Sequence, residues 1–316
     1  MISLADVLAA AGRIEGGVRR TPMMRMAPVY SSGDVAAELT LKLECLQVTG
    51  SFKPRGALNV VRSLAPEVLA RGVITASGGN HGLAVAYAGW AAGVGATIYL
   101  PRSVPAAKVA KLGRFGARVV IEGEVWDESN NAALAAAARE GLAYVHPFAD
   151  PLVVAGQGTL ATEIMADAPG TDTLVVAIGG GGLISGVAVA AKALKPGIRI
   201  VGVEPEGAPT LWESLRLGRP ARLERIETAA GTLAPKSTDA LNFRIIRELV
   251  AEVVLVSDDE MRAAAAWLWF EAGVAAELSG AAAVAALLTR RYAAMPGERV
   301  CAIVCGAGTD GMGVDG

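Results

Sequence analysis

A short stretch of the sequence places a lysine between an aromatic residue and a proline, in VTGSFKPRGALN at residues 48–59. Pro54 suits the first turn of a helix, and apolar residues from Ala57 to Leu64 follow at helical spacing on one face. The amine of Lys53 is therefore expected at a helix start that packs inward. There it loses hydration, its pKa falls, and the neutral amine can condense with an aldehyde or abstract a proton. The alternative is that Lys53 lies at the surface and keeps its charged amine in water, as isolated lysines usually do.

Four consecutive glycines, Gly179 to Gly182, follow a strand-like run and open a helix-like run in GGGGLISG. Such a loop presents backbone N–H groups and the positive end of a helix dipole to an anion, typically a phosphate. The dinucleotide pattern is not met, because Ile184 or Ser185 stands at its third glycine, although Glu204 follows at a suitable distance. No Gly-Lys pair is present for a P-loop. The loop favours a monophosphate, with a tight turn that binds nothing as the alternative.

A second glycine loop, SGGNHG at Ser77 to Gly82, also lies between a predicted strand and a predicted helix. It adds the side chains of Asn80 and His81 to the backbone donors. One loop could hold a phosphate and the other a carboxylate. For His81 alone, a structural role is the alternative.

Composition and charge exclude several classes of function. The net charge is -2 and aromatic residues make up 5% of the chain, which disfavours nucleic acid and anionic membranes as partners. Cys45, Cys301 and Cys305 make no disulfide framework, and with two histidines a zinc set is not convincing. The N-terminus lacks the basic-then-apolar order of a signal peptide, and glycines interrupt the uncharged run 174–191. We expect a cytoplasmic protein without nucleic-acid or membrane partners.

The elements that must position these loops alternate between strand and helix. Strands are predicted in GVITAS, ATIYLP, ARVVIEG, GLAYVHPF, DTLVVAI, IRIVGVEP and ERVCAIVCGAG, with helices between them. Ser257 followed by Glu260 predicts a capping box, and Asp127 or Ser129 is the predicted cap of the helix in WDESNNAALAAAARE. Alternation of this kind implies parallel strands joined by right-handed crossovers. A chain of 316 residues suits two domains, and residues 205–242 are the least regular.

Taken together, these residues resemble the pyridoxal-phosphate enzymes of fold type II, close to the threonine/serine dehydratase and serine racemase group. The resemblance rests on SFKPRGA, SGGNHG and GGGGLISG, supported by HPFADPLVVAGQGTLATE and the final CGAG, in the family's order. It implies an α/β fold like that of tryptophan synthase β, with two domains, each a mostly parallel twisted sheet flanked by helices. Residues 1–65 and 150–316 would form the large cofactor-binding domain, and residues 66–149 the small domain that closes on the substrate. A homodimer is expected from the resemblance.

The resemblance also implies the roles of the site residues. Lys53 would be the catalytic residue and would bind pyridoxal 5'-phosphate as a Schiff base. The implied cofactor-binding residues are Phe52, Lys53, Asn80, Gly179, Gly180, Gly181, Gly182, Leu183, Glu277 and Cys305. The implied substrate-binding residues are Ser77, Gly79, Asn80 and His81. Asn80 would bond the ring hydroxyl, and a neutral Cys305 thiol facing the ring nitrogen would make the ring a weaker electron sink, which favours prompt β-elimination.

The implied reaction is dehydration and deamination of a β-hydroxy amino acid, such as threonine or serine, to a 2-oxo acid and ammonia. Gly78 stands where serine racemases carry a second base, so racemisation is disfavoured. Some members bind a divalent cation after GVEP; Glu204 and Ala208 match them, but Thr210 replaces an aspartate, so both are weak metal candidates and no metal is assigned. The alternatives are a β-replacement enzyme, an amino-acid racemase, an NAD-dependent oxidoreductase that uses the Gly179 loop and Glu204, and a binding protein without catalysis.

Overall fold

The computed structural model describes residues 2–27 and 37–308 of the chain. Its strands, numbered in chain order, are β1 (Met23–Arg25), β2 (Glu38–Lys42), β3 (Val73–Ala76), β4 (Ala96–Leu100), β5 (Arg118–Ile121), β6 (Ala143–Tyr144), β7 (Thr173–Ala177), β8 (Arg199–Pro205), β9 (Glu252–Val256) and β10 (Arg299–Ile303). Its α-helices are α1 (Leu4–Ile14), α2 (Lys53–Val61), α3 (Pro66–Leu69), α4 (Asn80–Ala92), α5 (Ala106–Gly113), α6 (Trp126–Glu140), α7 (Pro151–Asp167), α8 (Gly182–Leu194), α9 (Thr210–Leu217), α10 (Ala240–Leu249), α11 (Asp258–Ala272) and α12 (Leu278–Leu288). Short 3-10 turns occur at Glu44–Leu46 and Gly231–Leu233.

The strands form two sheets, one of six strands in the order β1-β2-β10-β7-β8-β9 and one of four in the order β5-β4-β3-β6. In the part of the chain that is described, neighbouring strands run parallel except β1 and β2, which are antiparallel. The predicted α/β class with mostly parallel sheets is confirmed. All four strands of the smaller sheet lie within residues 66–149, and the division into two domains at these boundaries stays a prediction.

Burial of the central strands on both faces explains why they are continuous apolar runs in the sequence. Every residue of β7 is buried, as expected for a parallel strand covered on both faces. Helix α12 packs against β7, β8, β9 and β10 of the larger sheet, and α7 packs along α8. The uncharged run 174–191 is confirmed as strand, loop and helix, because it divides into β7, the four-glycine loop and α8.

Capping side chains determine where two of the helices, α11 and α7, begin. The predicted capping box is confirmed, since the Ser257 side chain accepts from the backbone N–H of Glu260 and the Glu260 side chain accepts from that of Ser257. Helix α7 begins at Pro151, because the Asp150 carboxylate accepts the backbone N–H groups of Leu152 and Val153. An aspartate in this position satisfies N–H groups that have no partner within the helix.

The predicted cap of α6 is wrong. The helix begins at Trp126 after Val125, and no side chain caps it. The indole of Trp126 donates to the carbonyl of Ala76 at 2.8 Å, which ties the helix start to the end of β3. Ser129 therefore falls inside the helix, where its hydroxyl donates to a backbone carbonyl at 2.6 Å. Within the ranges described, no helix combines the length and the apolar character needed to cross a membrane.

Candidate functional site

A pocket opens where the carboxyl ends of β7 and β10 meet the starts of α2 and α8, the edge at which parallel sheets bind ligands. The residues that line it are Phe52, Lys53, Asn80, Phe148, Ala177, Gly179, Gly180, Gly181, Gly182, Leu183, Thr232, Leu233, Glu277, Ser279 and Cys305. Every residue that the sequence assigned to the cofactor is in this set.

Two backbone hydrogen bonds join the residues just before Lys53 to the residues that follow β10. The backbone N–H of Phe52 donates to the Cys305 carbonyl at 3.1 Å, and the N–H of Ala307 donates to the Gly50 carbonyl at 2.8 Å. Helix α2 then begins at Lys53 with Pro54 in its first turn, as predicted. These bonds hold the lysine beside Cys305, although the two residues lie far apart in the sequence.

The amine of Lys53 is suited to act as a nucleophile and a base. Its Nζ donates to the Pro147 carbonyl at 2.7 Å and lies 5.1 Å from the centroid of the Phe52 ring. Burial lowers the pKa of Lys53 to about 8, against the opposing influence of Cys305 and Glu277. A neutral amine is therefore accessible near neutral pH, which Schiff-base formation and proton abstraction both require.

The glycine loop fits a phosphate group because side chains are excluded from it. A Cβ on Gly180 would collide with the ring of Phe148, and a Cβ on Gly182 would lie 2.7 Å from the Phe148 carbonyl oxygen. Gly181 has a φ of 93°, which side chains disfavour. The first N–H groups of α8 have no acceptor within the helix, so they remain available to an anion.

The carbonyl of Gly180 is turned away from the helix start. It accepts from Nδ2 of Asn242 at 3.0 Å and from the hydroxyl of Thr238 at 3.1 Å. With the carbonyl fixed in this way, the loop presents its N–H groups, rather than oxygen atoms, to the pocket. This arrangement suits an anionic group.

Asn80 brings an acceptor without a partner to the pocket. Its Nδ2 donates to Oε1 of Glu277 at 2.6 Å, while its Oδ1 is buried and has no hydrogen-bond partner. A buried polar atom in this state costs stability until a ligand pairs with it. The ring hydroxyl of pyridoxal phosphate would supply that pairing, so the side chain fits the role that the resemblance implied.

Cys305 contributes an uncharged side chain to the pocket lining, just after the end of β10. Its thiol donates to the Ser279 carbonyl at 3.4 Å, and burial raises the pKa of this thiol far above its usual value. The group therefore stays protonated and brings no negative charge to the pocket. The lysine, the glycine loop, the unpaired Asn80 oxygen and this thiol together fit pyridoxal phosphate.

The predicted substrate loop lies at the rim of the pocket. Asn80 lines the pocket itself, whereas Ser77 and Gly79 lie beside it at the start of α4, where the Ser77 hydroxyl accepts from the Gly79 N–H at 3.2 Å. A Cβ on Gly79 would be 3.6 Å from Cγ2 of Thr232. The loop stands at the start of α4, where the first N–H groups have no acceptor within the helix.

The imidazole of His81 turns away from the pocket. Its Nε2 lies 3.1 Å from the Thr75 hydroxyl and 3.0 Å from the Val145 carbonyl oxygen. Burial lowers the pKa of His81 to about 3, so the ring is neutral. The side chain therefore has a structural position, the alternative that the sequence left open for His81.

Several pocket residues were not assigned from the sequence, namely Phe148, Ala177, Thr232, Leu233 and Ser279. Phe148 is the last residue of the predicted strand GLAYVHPF, although nothing local indicated that it would contact the glycine loop. Thr232 and Leu233 lie in residues 205–242, where periodicity gives no signal. Thr232 nevertheless pairs its hydroxyl with that of Ser279 at the pocket.

The two weak metal candidates, Glu204 and Ala208, lie beside the start of α9 among groups that already have partners. Both oxygens of Glu204 accept backbone N–H groups at the start of α9, from Leu211 and Trp212, each at 2.8 Å. Thr210 donates its hydroxyl to a backbone carbonyl, Ala208 is fully buried, and no group of three potential metal ligands occurs in residues 2–27 and 37–308. Burial raises the pKa of Glu204 to about 8. A carboxyl group whose two oxygens already accept backbone N–H groups is a poor ligand for a cation and for a ribose.

The Glu204 carboxyl group is expected to make stability depend on pH. Its folded-state pKa of about 8 exceeds the ordinary value of 4.5, so the folded state binds the proton more tightly, and the free energy of unfolding falls as the pH rises through this interval. Glu204→Gln should flatten that fall, as measured by denaturant unfolding at several pH values between about 5 and about 8. The exposed Glu67→Gln variant is the control. Parallel pH profiles for wild type and Glu204→Gln would contradict the expectation.

Residues 14–306 match the family described as pyridoxal-phosphate dependent enzyme. The chain is 41% identical over 310 residues to the L-threonine ammonia-lyase of Thermotoga maritima, covering 98% of this chain and 76% of that protein. It is 37% identical over 318 residues to human serine racemase, covering 98% and 92%. The structure of the processed form of threonine deaminase isoform 2 from Solanum lycopersicum matches with a TM-score of 0.90 at 35% identity, covering 96% of this chain and 88% of that one.

Proposed function

This chain belongs to the pyridoxal-phosphate-dependent enzyme family, and we propose from that premise that it is an amino-acid ammonia-lyase. Its substrate is a β-hydroxy amino acid such as threonine or serine, and its products are a 2-oxo acid and ammonia. The observation that carries the proposal is the buried Lys53 amine, with its pKa lowered to about 8, in one pocket with a phosphate-binding glycine loop. The similarity to L-threonine ammonia-lyase supports the substrate class.

The residues assigned to the cofactor each have a role in this proposal. The loop Gly179 to Gly182, with the N–H of Leu183, would bind the phosphate. Phe52 would lie beside the ring, and Asn80, which is itself held by Glu277, would bond the ring hydroxyl. These contacts would fix the cofactor relative to Lys53, the residue that would bind it covalently.

The reaction follows from what the chain places around the substrate. Bound pyridoxal phosphate supplies an electron sink that stabilises negative charge at the Cα atom of the amino acid. Backbone N–H groups of the Ser77–His81 loop would hold the substrate carboxylate. The neutral Nζ of Lys53 would remove the Cα proton of the bound substrate. The β-hydroxyl group takes up a proton and departs as water, and the enamine that is released reacts with water to give the 2-oxo acid and ammonia.

Cys305 favours elimination over a long-lived carbanion. Its thiol is neutral and already donates to the Ser279 carbonyl, so it offers no carboxylate to hold a proton on the ring nitrogen. Beside this neutral thiol the cofactor would supply a weaker electron sink, which would favour prompt loss of a β-leaving group.

Racemisation is the second candidate, since the chain is also similar to human serine racemase. That reaction needs a proton donor on the face of the substrate opposite Lys53. By the sequence resemblance, serine racemases carry a serine where this chain has Gly78, which has no side chain to donate. Moreover, a Cβ on Gly78 would lie 3.2 Å from Val104. We therefore assign elimination as the main activity.

The test is a product analysis of the purified protein with added pyridoxal phosphate. L-threonine and L-serine are each expected to yield a 2-oxo acid and ammonia in equal amounts, without a second substrate. The residual serine is analysed for its D-isomer, and parallel reactions contain a thiol. Products that form only when the thiol is present would indicate β-replacement, and D-serine formation faster than elimination would indicate a racemase. Either result would overturn the proposal.

We also propose a homodimer located in the cytoplasm, in which residues 66–149 form a small domain that closes over the substrate. Support for the compartment comes from Cys45, Cys301 and Cys305, which are buried free thiols, since unpaired cysteines are typical of reducing compartments. The homodimer and the closing domain are inferred from the family resemblance. Sedimentation of the purified protein tests the dimer.

A further inference from the structure

The segment 145–149, which we term the connecting turn, joins β6 to α7 and contacts two parts of the pocket at once. The carbonyl of Pro147 accepts from Lys53 Nζ at 2.7 Å. The ring of Phe148 fills the space that a side chain on Gly180 would need. The shape of this turn therefore determines where the lysine amine and the glycine loop lie.

One side chain folds the connecting turn. Nδ1 of His146 accepts the backbone N–H of Phe148 at 3.1 Å and that of Ala149 at 2.8 Å. A ring nitrogen that accepts carries no proton, so the proton of the neutral imidazole is on Nε2. Without this acceptor, two N–H groups of the turn would lose their partner, and the turn would rearrange to satisfy them.

The surroundings of His146 keep the acceptor available. Burial lowers the pKa of His146 to about 4, and the positive charge of Lys53 acts in the same direction, whereas Asp239 and Asp150 oppose it. The ring also packs edge-on against Phe148, with the ring centroids 4.8 Å apart. The imidazole is thus neutral near pH 7 and fixed in orientation.

We propose that His146 is a positioning residue for Lys53. Its unprotonated Nδ1 holds the connecting turn, and the turn holds the free amine of Lys53 through the Pro147 carbonyl. The inference rests on the proposed role of Lys53, because an enzyme that releases this lysine in each turnover must keep the free amine close and oriented. The hydrogen bond to the Pro147 carbonyl also stabilises the protonated amine that forms when Lys53 accepts a proton.

Three variants of the full chain test the inference. His146→Leu removes the acceptor, whereas His146→Asn restores one, since an asparagine oxygen accepts N–H groups two residues further on. The exposed Phe270→Leu variant, which also replaces a ring with leucine, is the matched control. The rate of Schiff-base formation after addition of pyridoxal phosphate to the cofactor-free chain is followed by visible absorbance. It should fall about tenfold in His146→Leu, the loss expected for one positioning hydrogen bond, and stay near the wild-type rate in the other two.

The kinetic signature separates positioning from mere stability. His146→Leu should lower kcat with little change in KM, and His146→Asn should recover kcat. A purely structural role would lower the melting temperature of His146→Leu while the folded variant formed its Schiff base at the wild-type rate, and that result would overturn the inference.

A second measurement needs only the wild-type protein. The chain has two histidines, so labelling with ¹⁵N-histidine gives two imidazole signal sets, which His146→Asn assigns. At pH 7 the His146 signals should show Nδ1 without a proton and Nε2 with one. A protonated Nδ1 would refute the inference even if His146→Leu did not fold. Absence of a Schiff base in the wild-type protein would instead refute the proposed function.

Discussion

Lys53→Ala is expected to lower kcat for 2-oxo acid formation by about a thousandfold or more, the scale of a lost acid–base group, and to abolish the visible absorbance of the covalent cofactor. The amine at this position is both the cofactor attachment point and the proposed base, so one substitution removes two functions. The variant should still fold, because Lys53 begins α2 and its Nζ makes one hydrogen bond, to the Pro147 carbonyl.

Borohydride reduction followed by peptide mapping checks this prediction at the level of the residue. In the wild-type protein the reduced cofactor should be found on the peptide that contains Lys53. The exposed Lys236→Ala variant is the control and should keep both the absorbance and the rate. A Lys53→Ala variant that retained either property would contradict the assignment, and nucleotide binding at the Gly179 loop would then be tested.

The second large effect is expected from Arg55, two residues after the lysine. Its guanidinium is fully buried and bonds Glu44 through Nε and Nη2, each at 2.8 Å, and Glu163 through Nη1 at 2.7 Å. Lys42 completes the network with a 2.6 Å bond from Nζ to Glu163. Burial alone would raise the pKa of Glu44, but the Arg55 charge and its hydrogen bonds hold that pKa below its usual value. Two cations and two carboxylates thus balance inside the protein, beneath the start of α2.

Arg55→Met should lower the free energy of unfolding by about 3–5 kcal/mol, because it leaves buried carboxylates without their partner. Denaturant unfolding at neutral pH measures the change. The exposed pair Arg20–Asp167 is the matched control, since Arg20→Ala breaks an ion pair whose side chains are 58% and 38% exposed and should cost at most about 1 kcal/mol. Adding Glu44→Gln to Arg55→Met should recover part of the loss. Equal losses for the two arginines would contradict the argument from burial.

Features set by neighbouring residues were predictable from the sequence. The helix start at Lys53, the capping box at Ser257 and the strand–loop–helix order around Gly179 all depend on residue types a few positions apart. The alternation of strands and helices in turn predicted parallel strands. Local spacing therefore yielded the α/β class, the lysine at a helix start and the glycine loop, whereas the other residues assigned to the cofactor came from the family resemblance.

Features set by distant residues could not be predicted in the same way. The bond from Asn80 to Glu277 spans 197 positions, and nothing near Asn80 indicates it. The buried imidazole of His81 turns away from the pocket toward the Val145 carbonyl at the end of another strand. The cap predicted for α6 failed because Trp126 bonds a distant carbonyl. Each outcome was decided by packing between elements.

The ring of Phe148 against Gly180 has a consequence for how this sequence can change over time. Because the ring occupies the space that a Cβ on Gly180 would need, any larger residue at position 180 requires a smaller one at position 148. The two positions are therefore not free to evolve separately, and substitutions at them should arise as pairs. In a set of descendant sequences they would covary as residues in spatial contact do, although one belongs to the connecting turn and the other to the glycine loop.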